Sequence, residues 1–159
     1  MLKTFNQQCL AVELLKRQAR ISIVHKETGL SKRVLREGYH EIHGRFACAG
    51  AVKYSTQGLT RTLKKYKEVT FFAACFATVT AKTQDLEIIH VIHAYDLFKK
   101  IYGSSQLDFT GAWVVARDLR LGITKLSKCH HCGAPVLLNA REDDSNRCGV
   151  CTTELNKLQ

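Results

Sequence analysis

The chain has 159 residues, 45% of them apolar, which suffices for one buried core and a small appendage. Its 24 Lys/Arg against 14 Asp/Glu leave a formal charge of +10, suited to a polyanionic partner, and its single Pro argues against a disordered linker. The longest apolar run, Phe71–Val79, is too short to cross a bilayer, and Met1–Arg20 is too polar for a signal-peptide core, so a cytoplasmic protein without a membrane partner is expected.

The charge is unevenly placed. Residues 1–67 hold 14 Lys/Arg against 4 Asp/Glu, whereas residues 68–159 hold 10 against 10. The whole excess lies in the first 67 residues, as expected of a phosphate-binding region.

The first predicted helix is Glu13–Arg20. Next, ISIVHKET predicts a helix from Ile21 to Thr28, a turn at Gly29-Leu30, Ser31 as N-cap and a second helix ending before Gly44. On a 3.6-residue period Val34, Leu35, Gly38 and Ile42 share one face, with Arg33, Arg36, His40 and His43 opposite. A short helix, a glycine turn and a second helix with a basic outer face make a helix-turn-helix-like hairpin. An amphipathic hairpin with a solvated basic face would read the same way. Lys32, Arg33 and Arg36 are the candidate DNA contacts on the second helix. Lys53–Lys67 adds five basic residues, two tyrosines and no acid, and Arg61, Lys64 and Lys65 are its candidate contacts.

Three further helices are expected: Leu63–Lys82, Asp85–Tyr102 and Leu107–Leu121. Their apolar residues Phe71, Phe72, Phe76, Val79, Ile88, Ile92 and Phe98 exceed what a body of this size obviously needs, so part of this surface is expected to dock a partner. The pairs His40/His43 and His90/His93 have HxxH spacing, but exposed or satisfied histidines are commoner than ligands. No HExxH, GxSxG or glycine-rich phosphate loop is present, so an enzyme is not expected.

Four of the seven cysteines form two CxxC pairs, Cys129/Cys132 and Cys148/Cys151, separated by fifteen residues. In a reducing compartment this spacing reads as metal before disulfide. Four thiolates suit one tetrahedral Zn²⁺ per chain and fill its coordination, which makes the site structural. His130 and His131, inside the first CxxC turn, are expected to point away from the metal. A short strand at Val136–Leu138 and a polar turn around Asp143–Asn146 complete a zinc ribbon. Cys75 is expected in the core. Together these elements predict an all-α helical body over residues 1–122, with its N-terminal helix-turn-helix-like hairpin, followed by a small four-cysteine zinc ribbon over residues 123–159.

The stretch ARISIVHKETGLSKRVLREGYHEIHG (Ala19–Gly44) resembles the N-terminal region of the FlhC family of flagellar transcriptional activators. VIHAYDLFKKIYG and AWVVARDLRLGITKLSKCHHCG resemble its C-terminal half. The resemblance implies a cytoplasmic activator subunit that joins a small helical FlhD-like subunit, four of the partner with two of this chain. It further implies binding to double-stranded DNA at promoters and recruitment of RNA polymerase, with Cys129, Cys132, Cys148 and Cys151 matching the family's zinc ligands. Here HGRFACAGAV stands where the family has a proline-rich stretch, and the chain stops eight residues past Cys151. Both features depart from the flagellar pattern and suggest related activators that drive conjugative-transfer genes, so flagellar and conjugative-transfer promoters are both expected targets.

Two other classes share these features. A zinc-ribbon RNA-binding or ribosome-associated protein would also be basic with four cysteines. A zinc hydrolase or deaminase would need an open coordination position, which four cysteines do not leave. Should the helical hairpin not face DNA, Lys125, Lys128, Arg141 and Arg147 of the ribbon are the next candidates.

Overall fold

The computed structural model describes residues 1–159 except 53–54, 82–86, 140–147, 149–150 and 152–159. Among the described residues the order is α1 (Leu2–Lys16), α2 (Ile21–Thr28), α3 (Lys32–His43), a 3₁₀ turn (Thr56–Leu59), α4 (Leu63–Thr80), α5 (Ile88–Ile101), α6 (Phe109–Arg120), β1 (Thr124–Lys128) and β2 (Pro135–Asn139). No described helix is long and apolar enough to cross a membrane. The chain divides into two compact units, Met1–Val52 with Asp108–Thr110, and Lys53–Leu107 with Gly111–Gln159.

In the first unit α1, α2 and α3 pack against one another. They bury Leu14, Leu15, Ile23, Val24, Leu35 and Tyr39. Helix α1 begins at Leu2, well before the expected Glu13; its first half leaves Leu2 and Phe5 exposed and carries no one-sided apolar pattern by which the sequence would signal it. It also ends at Lys16 instead of Arg20. Gln18 adopts a left-handed φ of 57°. Its N–H donates to Leu15 O at 2.8 Å, and the Ala19 N–H donates to Leu14 O at 3.1 Å. These two bonds form a Schellman stop, and buried Ala19 supplies its apolar contact. Glycine is usual at the left-handed position, so a glutamine there hides the stop from a sequence reading.

The next two helices begin and end where expected. Gly29 takes a left-handed φ of 73° and its N–H donates to His25 O at 2.8 Å. The Ser31 hydroxyl accepts the Val34 N–H at 3.4 Å, and Gly44, φ 64°, ends α3. The faces of α3 differ from expectation. Leu35 and Tyr39 are buried, whereas Val34 is 54% and Ile42 39% exposed. The reason is the approach of α1: Leu15 Cδ1 would lie 3.4 Å from a Cβ at Gly38, which rotates the buried stripe toward Tyr39. His43 is therefore half-buried, not outward. Its Nε2–H donates to Leu15 O at 2.8 Å and its ring lies 4.5 Å from that of Tyr39.

In the second unit α4 packs along α5. The Phe98 ring, fully buried, meets Phe72 edge-on at 5.9 Å and Phe71 at the same distance. Phe72, Phe76, Ile92 and Phe98 belong to this chain's own core. Phe71, Val79 and Ile88 are half-buried. Glu87, not Asp85, precedes α5, and its N–H donates to His90 Nδ1 at 3.2 Å; Asp85 lies outside the described residues. Asp118 is completely buried on α6. Its Oδ2 accepts from the Thr56 N–H at 2.7 Å and Oγ1–H at 2.9 Å, while Oδ1 pairs with Arg117 at 2.7 Å. This full set of partners offsets the cost of burying the carboxylate.

Phe98→Ala should remove the aromatic centre of the α4–α5 pair and cost about 3–5 kcal/mol, read as a lower midpoint in denaturant unfolding.

Candidate metal centre and basic surfaces

Strand β1 pairs antiparallel with β2, from Thr124↔Asn139 to Lys128↔Pro135. Strand β1 was not expected, because only Thr124 of its TKLSK is buried. Its end delivers Cys129 into a tight turn. The Cys129 N–H donates to Ala134 O at 2.8 Å, the Gly133 N–H donates to Cys129 O at 2.9 Å, and Gly133 has a φ of 73°. The second CxxC supplies Cys148 and Cys151. The expected polar turn at Asp143–Asn146 lies outside the described residues.

The four Sγ atoms of Cys129, Cys132, Cys148 and Cys151 lie within 4.8 Å of one another, with Cys132 and Cys148 3.5 Å apart. Around a tetrahedral ion with metal–sulfur bonds of about 2.3 Å, sulfurs sit about 3.8 Å apart. The cluster can therefore hold a metal ion with little rearrangement. Cys129, Cys148 and Cys151 are buried with Val136 and Leu138, and Cys132 faces solvent.

The electrostatics are those of a site suited to a cation. The Cys132 N–H, then the Cys148 N–H at 3.3 Å, pull the Cys129 thiol down to about 6. The Cys151 N–H, 3.5 Å from Cys148 Sγ, lowers Cys148. Cys151 moves up, first through its hydrogen bond with Cys148 and then through burial. Backbone amides thus favour thiolates, but four negative charges cannot share this volume without a cation among them.

His130 and His131 are exposed, and the cluster is all sulfur. The two HxxH pairs form no further cluster among the described residues. His40 lies 5.2 Å from the Phe46 ring, and His43 and His90 are hydrogen-bonded as above. Cys75 is buried in α4, and burial pushes its thiol up.

The six expected DNA contacts fall into both units. Lys32, Arg33 and Arg36 are exposed on α3 in the first unit. Arg33 Nε donates to Glu37 Oε1 at 3.1 Å, an exposed pair of little energetic weight. Arg61, Lys64 and Lys65 are exposed at the start of α4 in the second unit. The adjoining residue, Tyr66, was missed as an organiser. Its hydroxyl donates to Leu137 O and accepts from Leu137 N–H, both at 3.1 Å, fastening α4 to β2 beside the metal cluster. Lys125 and Lys128 are exposed on β1, and Arg141 and Arg147 lie outside the described residues. Arg20 was also missed: its Nη1 donates to Cys48 O and Ala49 O, both at 2.7 Å.

Comparison with protein families matches residues 1–156 to the family described as Flagellar transcriptional activator (FlhC). The chain belongs to the FlhC family. Similar proteins include the "Flagellar transcriptional regulator FlhC" of Gallionella capsiferriformans, 26% identical over 149 residues, covering 89% of this chain and 81% of the relative. Its counterpart in Cupriavidus necator is 25% identical over 157 residues, covering 95% and 76%, and that of Yersinia enterocolitica 27% identical over 148 residues, covering 89% and 76%. The FlhC family is one of transcriptional regulators. Four sulfurs fill the coordination of a tetrahedral ion, so the centre suits folding and not turnover.

Purified protein should carry one metal ion per chain by elemental analysis, and Cys148→Ser should lose it. Structural sites of this type are worth on the order of 10 kcal/mol of apparent binding free energy, so chelation should also unfold the β1–β2 ribbon, seen as lost amide protection. Full metal retention in Cys148→Ser would refute this assignment.

Proposed function

We propose that the protein is a cytoplasmic, DNA-binding subunit of a transcriptional activator, with one structural Zn²⁺ held by Cys129, Cys132, Cys148 and Cys151. In this reading it acts with a small helical FlhD-like subunit, four of the partner with two of this chain. The complex binds double-stranded promoter DNA of flagellar or conjugative-transfer genes and recruits RNA polymerase. The match to the FlhC family over residues 1–156 carries this reading.

The placement of charge supports it. Lys32, Arg33 and Arg36 are exposed on α3 of the first unit, a helix that follows α2 across the turn at Gly29 and is capped by Ser31. Arg61, Lys64 and Lys65 offer a second cationic surface at the start of α4. The closed four-sulfur set supports a regulator and not an enzyme.

The test uses the protein with its partner subunit, titrated with promoter duplex, random duplex and structured RNA across salt concentrations. Promoter duplex should bind tightest. Arg33→Ala should cost roughly 1–3 kcal/mol and relax preference at one base step if it reads a base. Replacing Lys64 and Lys65 together by Ala should weaken all duplexes alike and lower the salt slope by about two. Equal affinity for RNA and both duplexes would replace this reading with that of an RNA-binding zinc-ribbon protein.

A further inference from the structure

The first unit contains an open cleft of about 440 Å³ between the start of α2, the start of α3 and the segment 46–50. Three cationic side chains line it, Arg20, Lys32 and Arg36, and no described lining residue is acidic. Ile21 and Ser22, the first two residues of α2, line it as well. The first amides of a helix have no carbonyl partner within it, and Arg20, the N-cap of α2, makes no side-chain capping bond. Neither α2 nor α3 has an acidic residue in its first turn.

These placements run against helix electrostatics. The N-terminal end of a helix is its positive pole and favours acids. Here Arg20 sits at the pole of α2 and Lys32 is the first residue of α3, both beside Arg36. Like charges are gathered in a cleft whose described lining holds no acid; the carboxylate near Arg20, that of Asp108, lines the adjoining cleft instead. Arg20 is moreover held in position: its Nη1 hydrogens go to the Cys48 and Ala49 carbonyls, which leaves the rest of its guanidinium for a ligand. Local rules broken together in one concave place mark a functional site.

We propose that this cleft is a phosphate seat. Arg20, Lys32 and Arg36 supply the charge and the Ile21 and Ser22 amides supply the directional donors, as helix N-termini do for oxyanions. Resting on the DNA-binding reading above, the phosphate is one diester of the DNA backbone. The cleft thereby separates the residues of α3: Lys32 and Arg36 grip the backbone, and Arg33, which is not among the lining residues, is left for the groove.

The test combines two measurements on the full chain. Lys32→Gln with Arg36→Gln, assembled with the partner, is titrated with promoter and random duplexes across salt. It should weaken both by the same factor and lower the salt slope by roughly two, at about 0.9 per lost phosphate contact. Lys3→Gln with Lys100→Gln makes the same charge change at exposed sites outside the cleft and should leave the slope unaltered. Arg20 is not the primary target, because its substitution also releases the segment carrying Cys48 and Ala49. Secondly, inorganic phosphate at constant ionic strength should shift the Ile21 and Ser22 amide resonances of the wild type and not of the double variant. An unchanged slope in the double variant, with DNA binding intact, overturns the seat and leaves the DNA reading standing. Wild type that binds no duplex while phosphate or a mononucleotide still shifts those amides upholds the seat with a free phosphate as its source, and the DNA reading falls. Absence of both responses overturns both.

Discussion

Four thiols within 4.8 Å of one another can ionise together only around a cation, and the C-terminal part of the molecule is organised on that condition. A two-stranded sheet of five-residue strands is too small to be stable alone. The cluster beneath it consists of Val136, Leu138 and three of the cysteines. Cysteines thus form much of the ribbon's described interior, and a metal held by them would supply free energy that so little apolar surface cannot. Through the two Tyr66–Leu137 hydrogen bonds the ordered strand in turn fastens the start of α4. A metal held by the four cysteines would in this way order a cationic surface it never touches.

The second recurring constraint is charge at helix starts. Helices α2, α3 and α4 all lack an acid in their first turn. Instead they begin on Arg20, on Lys32 and Arg33, and on Lys64 and Lys65. Each cation placed at a positive helix pole costs about 0.3–1 kcal/mol at an exposed site, a cost that an incoming phosphate reverses in sign. The uneven charge in the sequence, with its whole excess in the first 67 residues, is the one-dimensional trace of this arrangement.

What could be read without coordinates follows the range of the interaction concerned. The metal cluster was legible because CxxC spacing encodes the geometry of two ligands within four residues. Helices α2 and α3 were legible because their ends are local: Gly29 and Gly44 take left-handed conformations and Ser31 caps. Where a terminus used Gln18 for the same conformation, the stop vanished from view. Strand β1 was illegible because its signal is pairing with residues 135–139, not the pattern of its own TKLSK. The apolar residues of α4 and α5 were recognised as apolar, but apolarity does not say what covers them. Phe72 and Phe98 cover each other. The outer face of α3 was misplaced by one position of rotation, since tertiary contact with Leu15, not the helical period alone, decides which residues are buried.

The basic stretch before and within α4 is held at both ends. At one end Thr56 gives its N–H and hydroxyl to the buried Asp118 at 2.7 and 2.9 Å. At the other Tyr66 is locked to both backbone groups of Leu137 at 3.1 Å. Between them lie Arg61, Lys64 and Lys65, with Thr62 accepting the Lys65 N–H at 3.3 Å to start the helix. A cationic loop free to wander would lose conformational entropy on meeting a polyanion, and that loss is subtracted from its affinity. Here the ordering is already done by folding, through one fully buried carboxylate and one tyrosine. Asp118 can hold this position at complete burial because its second oxygen is taken by Arg117; an unpaired carboxylate there would destabilise the fold. The polar contacts inside the second unit and the charges on its surface are thus one device, the first fixing the backbone from which the second project.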